Sequence, residues 1–255
     1  MINIKTEKEI EIMKTGGKIL SDVMWELVKN VKPGVSELEI DALAEKLIRE
    51  KGGEPGFKRV DGYQYSVCMS TNDVVVHGIP TDYRFKEGDI VGIDCGVYYQ
   101  GFHTDMSETG RVGKEIKNDS IDEFLFVGRD ALKKGIEQAI VGNRIGHISK
   151  VIQDSVEGKG YSIVRSLVGH GVGHELHEEP EVPGYLADPI EKTPVLKEGM
   201  VIAIEIIYNM GDSELVYANK DGWTLKTKDG TLSGLFERTV AITRNGPLVL
   251  TPDQN

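Results

Sequence analysis

Lys86-Glu87-Gly88-Asp89-Ile90-Val91-Gly92-Ile93-Asp94 and Lys197-Glu198-Gly199-Met200-Val201-Ile202-Ala203-Ile204-Glu205 are one pattern written twice. Each is a turn followed by an apolar strand that ends on a carboxylate. The correspondence extends outward. Gly34, Ile40, Lys51 and Gly52 match Gly142, Ile148, Lys159 and Gly160 at one constant shift, and Ser66, His77 and Pro80 match Ser166, His177 and Pro180 at another. Three blocks in preserved order indicate an internal duplication. The expected architecture is α+β: one domain over residues 1–255, built from halves at about 6–110 and 119–245. Strands contiguous across a pseudo-twofold axis would form one curved sheet with helices on its back. Equivalent residues should converge near the axis, which pairs His77 with His177 and Asp94 with Glu205.

Local patterns supply the elements. Thr6-Glu7-Lys8-Glu9 is a capping box, and apolar residues from Ile10 to Val28 recur at helical spacing, so a helix spans about 7–29. A second helix follows Ser36 and stops near Gly52-Gly53, and two more cover about 119–139 and 145–158. Strands are expected at 67–69, 74–76, 89–97, 200–208 and 235–243, residues 98–105 continue the sheet, and Asp221-Gly222 and Asp229-Gly230 mark hairpin turns. Residues 180–194 carry four prolines and should be neither helix nor sheet interior.

Composition narrows the function classes. With 39% hydrophobic and 28% charged residues, the 255-residue chain reads as an ordinary globular protein. A net charge of −11 argues against a nucleic-acid or membrane-surface binder. Only Cys68 and Cys95 occur, which points away from a disulfide scaffold and toward a reducing cytosol. Neither a signal peptide nor an apolar run of membrane-spanning length is legible.

The chemistry lies in acids set among apolar residues. Asp94 and Glu205 each end an apolar run, and Glu237 and Asp105 are two further strand carboxylates. Burying such groups is costly unless they are paired or bind a metal. The stretch from Gly169 to Pro180 adds three histidines: His170, His174 and His177. The register of a zinc-protease helix fails there, because Glu178 stands where its second histidine belongs, and Gly169, Gly171 and Gly173 favour extended or looped backbone. Four carboxylates with His170 suit two divalent ions, of the Mn, Fe, Co or Zn kind rather than a structural zinc. His77 and His177 would stand outside the metals as hydrogen-bond donors to substrate, and the intervening glycines would leave room for a peptide N-terminus.

These residues resemble a known family. Ser66-Val67-Cys68, Val76-His77-Gly78-Ile79-Pro80, Gly88 to Asp94, Gly101-Phe102-His103-Thr104-Asp105, Gly169-His170-Gly171-Val172-Gly173, His177-Glu178-Glu179-Pro180, Lys220-Asp221-Gly222-Trp223-Thr224 and Phe236-Glu237 occur in the order and spacing of bacterial-type type I methionine aminopeptidases. The resemblance covers about residues 4–250 and implies the pita-bread fold with a mainly antiparallel sheet. It implies removal of N-terminal methionine from nascent chains, with a small second residue preferred, in the cytoplasm, by a monomer that works near the ribosome. By the same resemblance Asp94, Asp105, His170, Glu205 and Glu237 are the metal ligands and Glu205 shuttles the proton. His177 stabilises the oxyanion and His77 contacts the second residue. Tyr63, Cys68 and Trp223 line the methionine pocket.

The chain departs from the pattern at Ile206 (usually Pro) and Arg238 (usually His), and Leu176 and Ile207 stand where a Phe and a Met commonly line the methionine pocket. Together these put pocket shape and turnover in question. Two other readings stand beside the main one: a proline-specific dipeptidase or aminopeptidase of the same fold, and a non-enzymatic binding module. His103 and His174 read as structural or solvent-facing, His147 as a surface residue, Cys95 as core, and the acidic run Glu178-Glu179-Glu181 as a solvated loop.

Overall fold

The computed structural model describes residues 2–113 and 119–254. Helices α1 (Glu7–Asn30) and α2 (Glu37–Glu50) open the chain. Both begin at a capping box: Thr6 and Ser36 each accept a hydrogen bond from the N–H of the glutamate three residues on, and Glu9 and Glu39 bond back. These bonds satisfy amides that helix geometry leaves free. Three short strands follow: β1 (Glu54–Pro55), β2 (Val67–Thr71) and β3 (Val74–Val76). The long hairpin β4 (Ile90–Tyr99) and β5 (Phe102–Arg111) turns at Gln100-Gly101, both residues at positive φ.

Helices α3 (Ser120–Glu137) and α4 (Ile145–Glu157) then repeat the opening pair. After them come β6 (Ser162–Ile163), β7 (Gly169–Gly171), β8 (Glu178–Val182) and β9 (Val201–Asn209). The chain closes with β10 (Leu215–Tyr217), β11 (Leu225–Thr227), β12 (Ser233–Thr243) and β13 (Gly246–Val249).

The main sheet has ten strands in the order β1-β4-β5-β12-β9-β7-β8, with β2 on β4, β6 on β9 and β13 on β12. Its pairings are antiparallel, and the order is symmetric about the central β5–β12 pair: β4 flanks β5 as β9 flanks β12. A separate three-stranded sheet joins β10, β11 and β3.

Three local expectations need correction. Asp229-Gly230 is not a hairpin turn, because it links β11 in the small sheet to β12 in the large one. Pro180 lies in a strand, but β8 ends the sheet order, where a residue without an N–H is tolerated. His147 is half-buried rather than a surface residue, and its Nδ1 accepts the Arg144 N–H at the start of α4.

Strand parity divides the sheet into two faces. On one, Ile93, Cys95 and Met106 pack with Leu20, Met24, Ile40 and Ile48 from α1 and α2. Likewise Ile202, Ile204, Ile206 and Phe236 pack with Phe124, Leu132, Ile148 and Ile152 from α3 and α4. The alternate residues of the same strands, Asp94, Asp105, Glu205 and Glu237, therefore share the face turned away from the helices.

Arg238 belongs to the helix side. Its guanidinium donates to Glu108 (2.7 Å), to Asp253 (2.5 Å) and to the carbonyls of Ser107 and Glu237 (2.9 and 2.7 Å). Glu108 is 2% exposed and also meets Arg129 at 2.8 Å. Arg238→Met strands a buried carboxylate on one partner, so about 3 kcal/mol of stability should be lost. Activity should stay within about threefold, since the side chain faces away from the acids. Urea unfolding and peptide turnover check this; an unchanged urea midpoint would remove the clamp role.

Candidate active site

The acids stand in a row that crosses the sheet. Register places Cys68 of β2 opposite Asp94 of β4, and Asp94 opposite Ser107 of β5. Ser107 is opposite Glu237 of β12, and Glu237 opposite Glu205 of β9. Neighbouring strands lie about 4.8 Å apart, so the row brings residues far apart in sequence within a few ångströms. Asp105 sits two residues from Ser107 on the same face, and its N–H donates to Thr239 Oγ1 at 2.9 Å. His170 arrives on β7 opposite Ala203, two residues from Glu205. Asp105, His170 and Glu237 each offer a ligand atom within 4.8 Å of the others.

Burial sets the electrostatics. It raises Asp94 and Glu237 well above the usual carboxylate range, and the neighbouring acids raise them further. Burial lifts Asp105 to about 7. Burial and then the Asp105 charge lift Glu205 to about 8. Like charges in low dielectric cannot all ionise without a cation. Burial, followed by His177, lowers His170 to about 4, so its imidazole is neutral near pH 7. Nδ1 of His170 lies 2.9 Å from the Gly171 carbonyl, which can only accept, so Nδ1 carries the proton. The Nε2 lone pair then faces Asp105 Oδ2 at 3.8 Å.

The Nε2 lone pair facing Asp105, together with a buried Asp94 Oδ1 that has no hydrogen-bond partner, fits a divalent cation held among these groups. This oxygen-rich donor set with one imidazole is the chemistry of a catalytic ion rather than a thiolate-bound structural zinc.

All ten residues singled out from sequence line one cavity of about 290 Å³: Tyr63, Cys68, His77, Asp94, Asp105, His170, His177, Glu205, Trp223 and Glu237. His170 and His177 lie edge to face, ring centres 4.4 Å apart. Desolvation by the cavity walls lowers the pKa of the half-buried His77, with a further contribution from His177, and of the more exposed His177, which favours the neutral imidazole in both. His77 holds φ at 55°, a left-handed conformation uncommon for a non-glycine residue, and such strain is maintained where surroundings over-determine a position. At the apolar end Tyr63 packs on Trp223 at 5.1 Å and donates its hydroxyl to the Val67 carbonyl. Phe57, Val60, Val76 and Ser166 to Val168 also line the cavity, and Ser107 stands within the acid row. Sequence reading missed them. For Ser107 a signal existed: it is two residues beyond Asp105 on a strand.

The four departures separate. Leu176 and Ile207 line the cavity, whereas Ile206 and Arg238 point to the helix side and do not touch it. The glycines do not make room for a peptide. A methyl at Gly169 would strike the Ala203 carbonyl, one at Gly171 the Glu179 carbonyl, and one at Gly173 the Lys5 side chain. They let protein segments approach each other. His103 is buried and His174 exposed, each in a structural contact: His103 against Tyr98, His174 against Phe102.

A symmetric antiparallel sheet carries helices on one face and, on the other, a carboxylate–imidazole group that could hold a metal ion. The profile of metallopeptidase family M24 matches residues 11–244. A methionine aminopeptidase of Clostridium perfringens is 45% identical over 251 residues, which is 98% of this chain and 99% of that one. The crystal structure of methionine aminopeptidase from Thermotoga maritima superposes with a TM-score of 0.94 at 40% identity, covering 99% of this chain and 100% of that one. A prolidase from Pyrococcus furiosus is more distant, with a TM-score of 0.78 at 28% identity, and the match covers 99% of this chain but 66% of the prolidase. The chain belongs to metallopeptidase family M24 and, within it, to the methionine aminopeptidases. Its architecture is the pita-bread fold.

Proposed function

We propose that the chain removes N-terminal methionine from nascent proteins and peptides with a small second residue, using two divalent ions held by Asp94, Asp105, His170, Glu205 and Glu237. The observation that carries this reading is the single cavity that joins those five residues to an apolar end at Tyr63, Cys68, Leu176, Ile207 and Trp223. Bound Co, Mn, Fe or Zn ions would supply Lewis-acid polarisation of the scissile carbonyl and a lowered pKa for water. The apolar end takes the methionine side chain. Glu205, a carboxylate on the cavity wall opposite Glu237, accepts a proton from water and passes it to the leaving amine. His177 donates its N–H to the oxygen that gains charge. His77 donates to the backbone of the second residue and orients it. Residues 1–255 act as one catalytic unit of two halves, as a cytoplasmic monomer that meets nascent chains at the ribosome. No helix among the described residues is long and apolar enough to cross a membrane.

The test is hydrolysis of Met-Ala-Ser, Leu-Ala-Ser and Ala-Pro by chelated protein reloaded with Mn, Fe, Co or Zn in turn. Met-Ala-Ser should be cleaved about tenfold or more faster than Leu-Ala-Ser, the discrimination an apolar pocket of fixed shape provides. Equal or faster cleavage of the leucine peptide would sink the methionine assignment. Cleavage of Ala-Pro alone would favour the proline-specific reading.

A further inference from the structure

The acidic run Glu178-Glu179-Glu181 is not uniformly solvated. Glu179 and Glu181 are exposed, but Glu178 meets Lys5 at 2.6 Å, and the two side chains are 4% and 3% exposed. A buried carboxylate without this partner would be costly. Glu178 also accepts the Glu175 N–H on its other oxygen at 3.2 Å, and so closes the turn that carries Leu176 and His177. Lys5 is held at its own backbone, where its N–H donates to the Gly199 carbonyl at 2.7 Å, in the turn before β9. The lysine stem runs across Gly173, where any side chain would collide with it. On the other side, the Gly173 carbonyl accepts the His103 N–H of β5 at 2.7 Å.

We propose that Lys5 is a positioning residue of the reaction: through Glu178 it fixes the 173–178 loop and thereby sets where His177 stands in the cavity. The inference rests on the aminopeptidase reading and on a role for His177 at the reacting carbonyl. The loop has no helix or long strand to stiffen it, so the tether to an element already pinned beside β9 replaces that rigidity. Small displacements of an oriented donor carry large rate costs.

Lys5→Met keeps the apolar stem and removes the ammonium. It should lower kcat on Met-Ala-Ser by roughly tenfold while KM shifts by less than about threefold, because the donor acts on the transition state. Glu178→Gln, which retains an acceptor for the Glu175 N–H, should do the same and covers the case in which Lys5→Met folds poorly. In a His177→Ala background Lys5→Met should change kcat by less than about twofold, since its effect runs through the missing imidazole. Independently of turnover, amide exchange at residues 173–178 should accelerate about tenfold or more in Lys5→Met while β4 and β9 keep their protection. Unchanged kcat, a loss that persists without His177, or unaltered loop exchange each overturns the proposal. A wild-type protein inactive with every metal would instead overturn the aminopeptidase reading, and loop exchange would then decide the role of Lys5 by itself.

Discussion

Glu205→Gln is expected to lower kcat on a methionyl peptide by about 10³-fold or more and, in chelated protein near pH 8, to raise the thermal midpoint. The two effects have one origin. Glu205 lies directly opposite Glu237 across the β9–β12 ladder, and burial and then the Asp105 charge raise its carboxyl to about 8. The amide matches the carboxylate in size, so packing is preserved. It cannot accept the proton that the reaction moves, and it is a weaker donor to a cation. It also removes one of four clustered carboxyl groups that repel each other when ionised, so the metal-free fold gains. Steady-state kinetics and thermal melts in chelator, on the same preparation, check both signs. A variant that keeps more than a tenth of wild-type kcat would exclude Glu205 as proton carrier.

The second large effect is the pH dependence of the metal-free protein. Asp105 and Glu205 titrate in the folded chain at about 7 and about 8, and Asp94 and Glu237 well above the ordinary range. In the unfolded chain all four titrate near 4. Between these limits the folded state holds protons that the unfolded state has released, so stability falls as pH rises from about 5 through 8. Each unit of raised pKa is worth about 1.4 kcal/mol, and even two units in total would lower the thermal midpoint by roughly 5–10 °C. Divalent ions should reverse this by replacing the protons, with protons released on binding and a larger gain at pH 8 than at pH 5. Melts with and without metal at both pH values, together with proton release measured in weak buffer, read it out. A metal-induced gain that is equal at both pH values would mean that these carboxylates are not where the ion binds.

Much of this is legible in the chain. Capping boxes, helical spacing and apolar strands are local, so all four helices and the strands carrying the acids can be placed from sequence. Carboxylates inside apolar runs stand out because burial is costly, and the internal duplication by itself aligns Asp94 with Glu205 and His77 with His177. Strand parity also separates Ile206 and Arg238 from their neighbours, because adjacent residues on a strand face opposite ways.

Other features have no local signature. That Ser107 stands between Asp94 and Glu237 follows from register between strands distant in sequence. The glycines around His170 read as space for a ligand, yet they are contact points with Ala203, Glu179 and Lys5. Lys5 and Glu178 are 173 residues apart, and their pairing turns a surface-looking acid into a buried one. The sequence by itself determined which side chains carry the chemistry, because residue type and local period are written in it. Only the tertiary structure decided what holds them in place, because those contacts arise when segments that share no local pattern pack together.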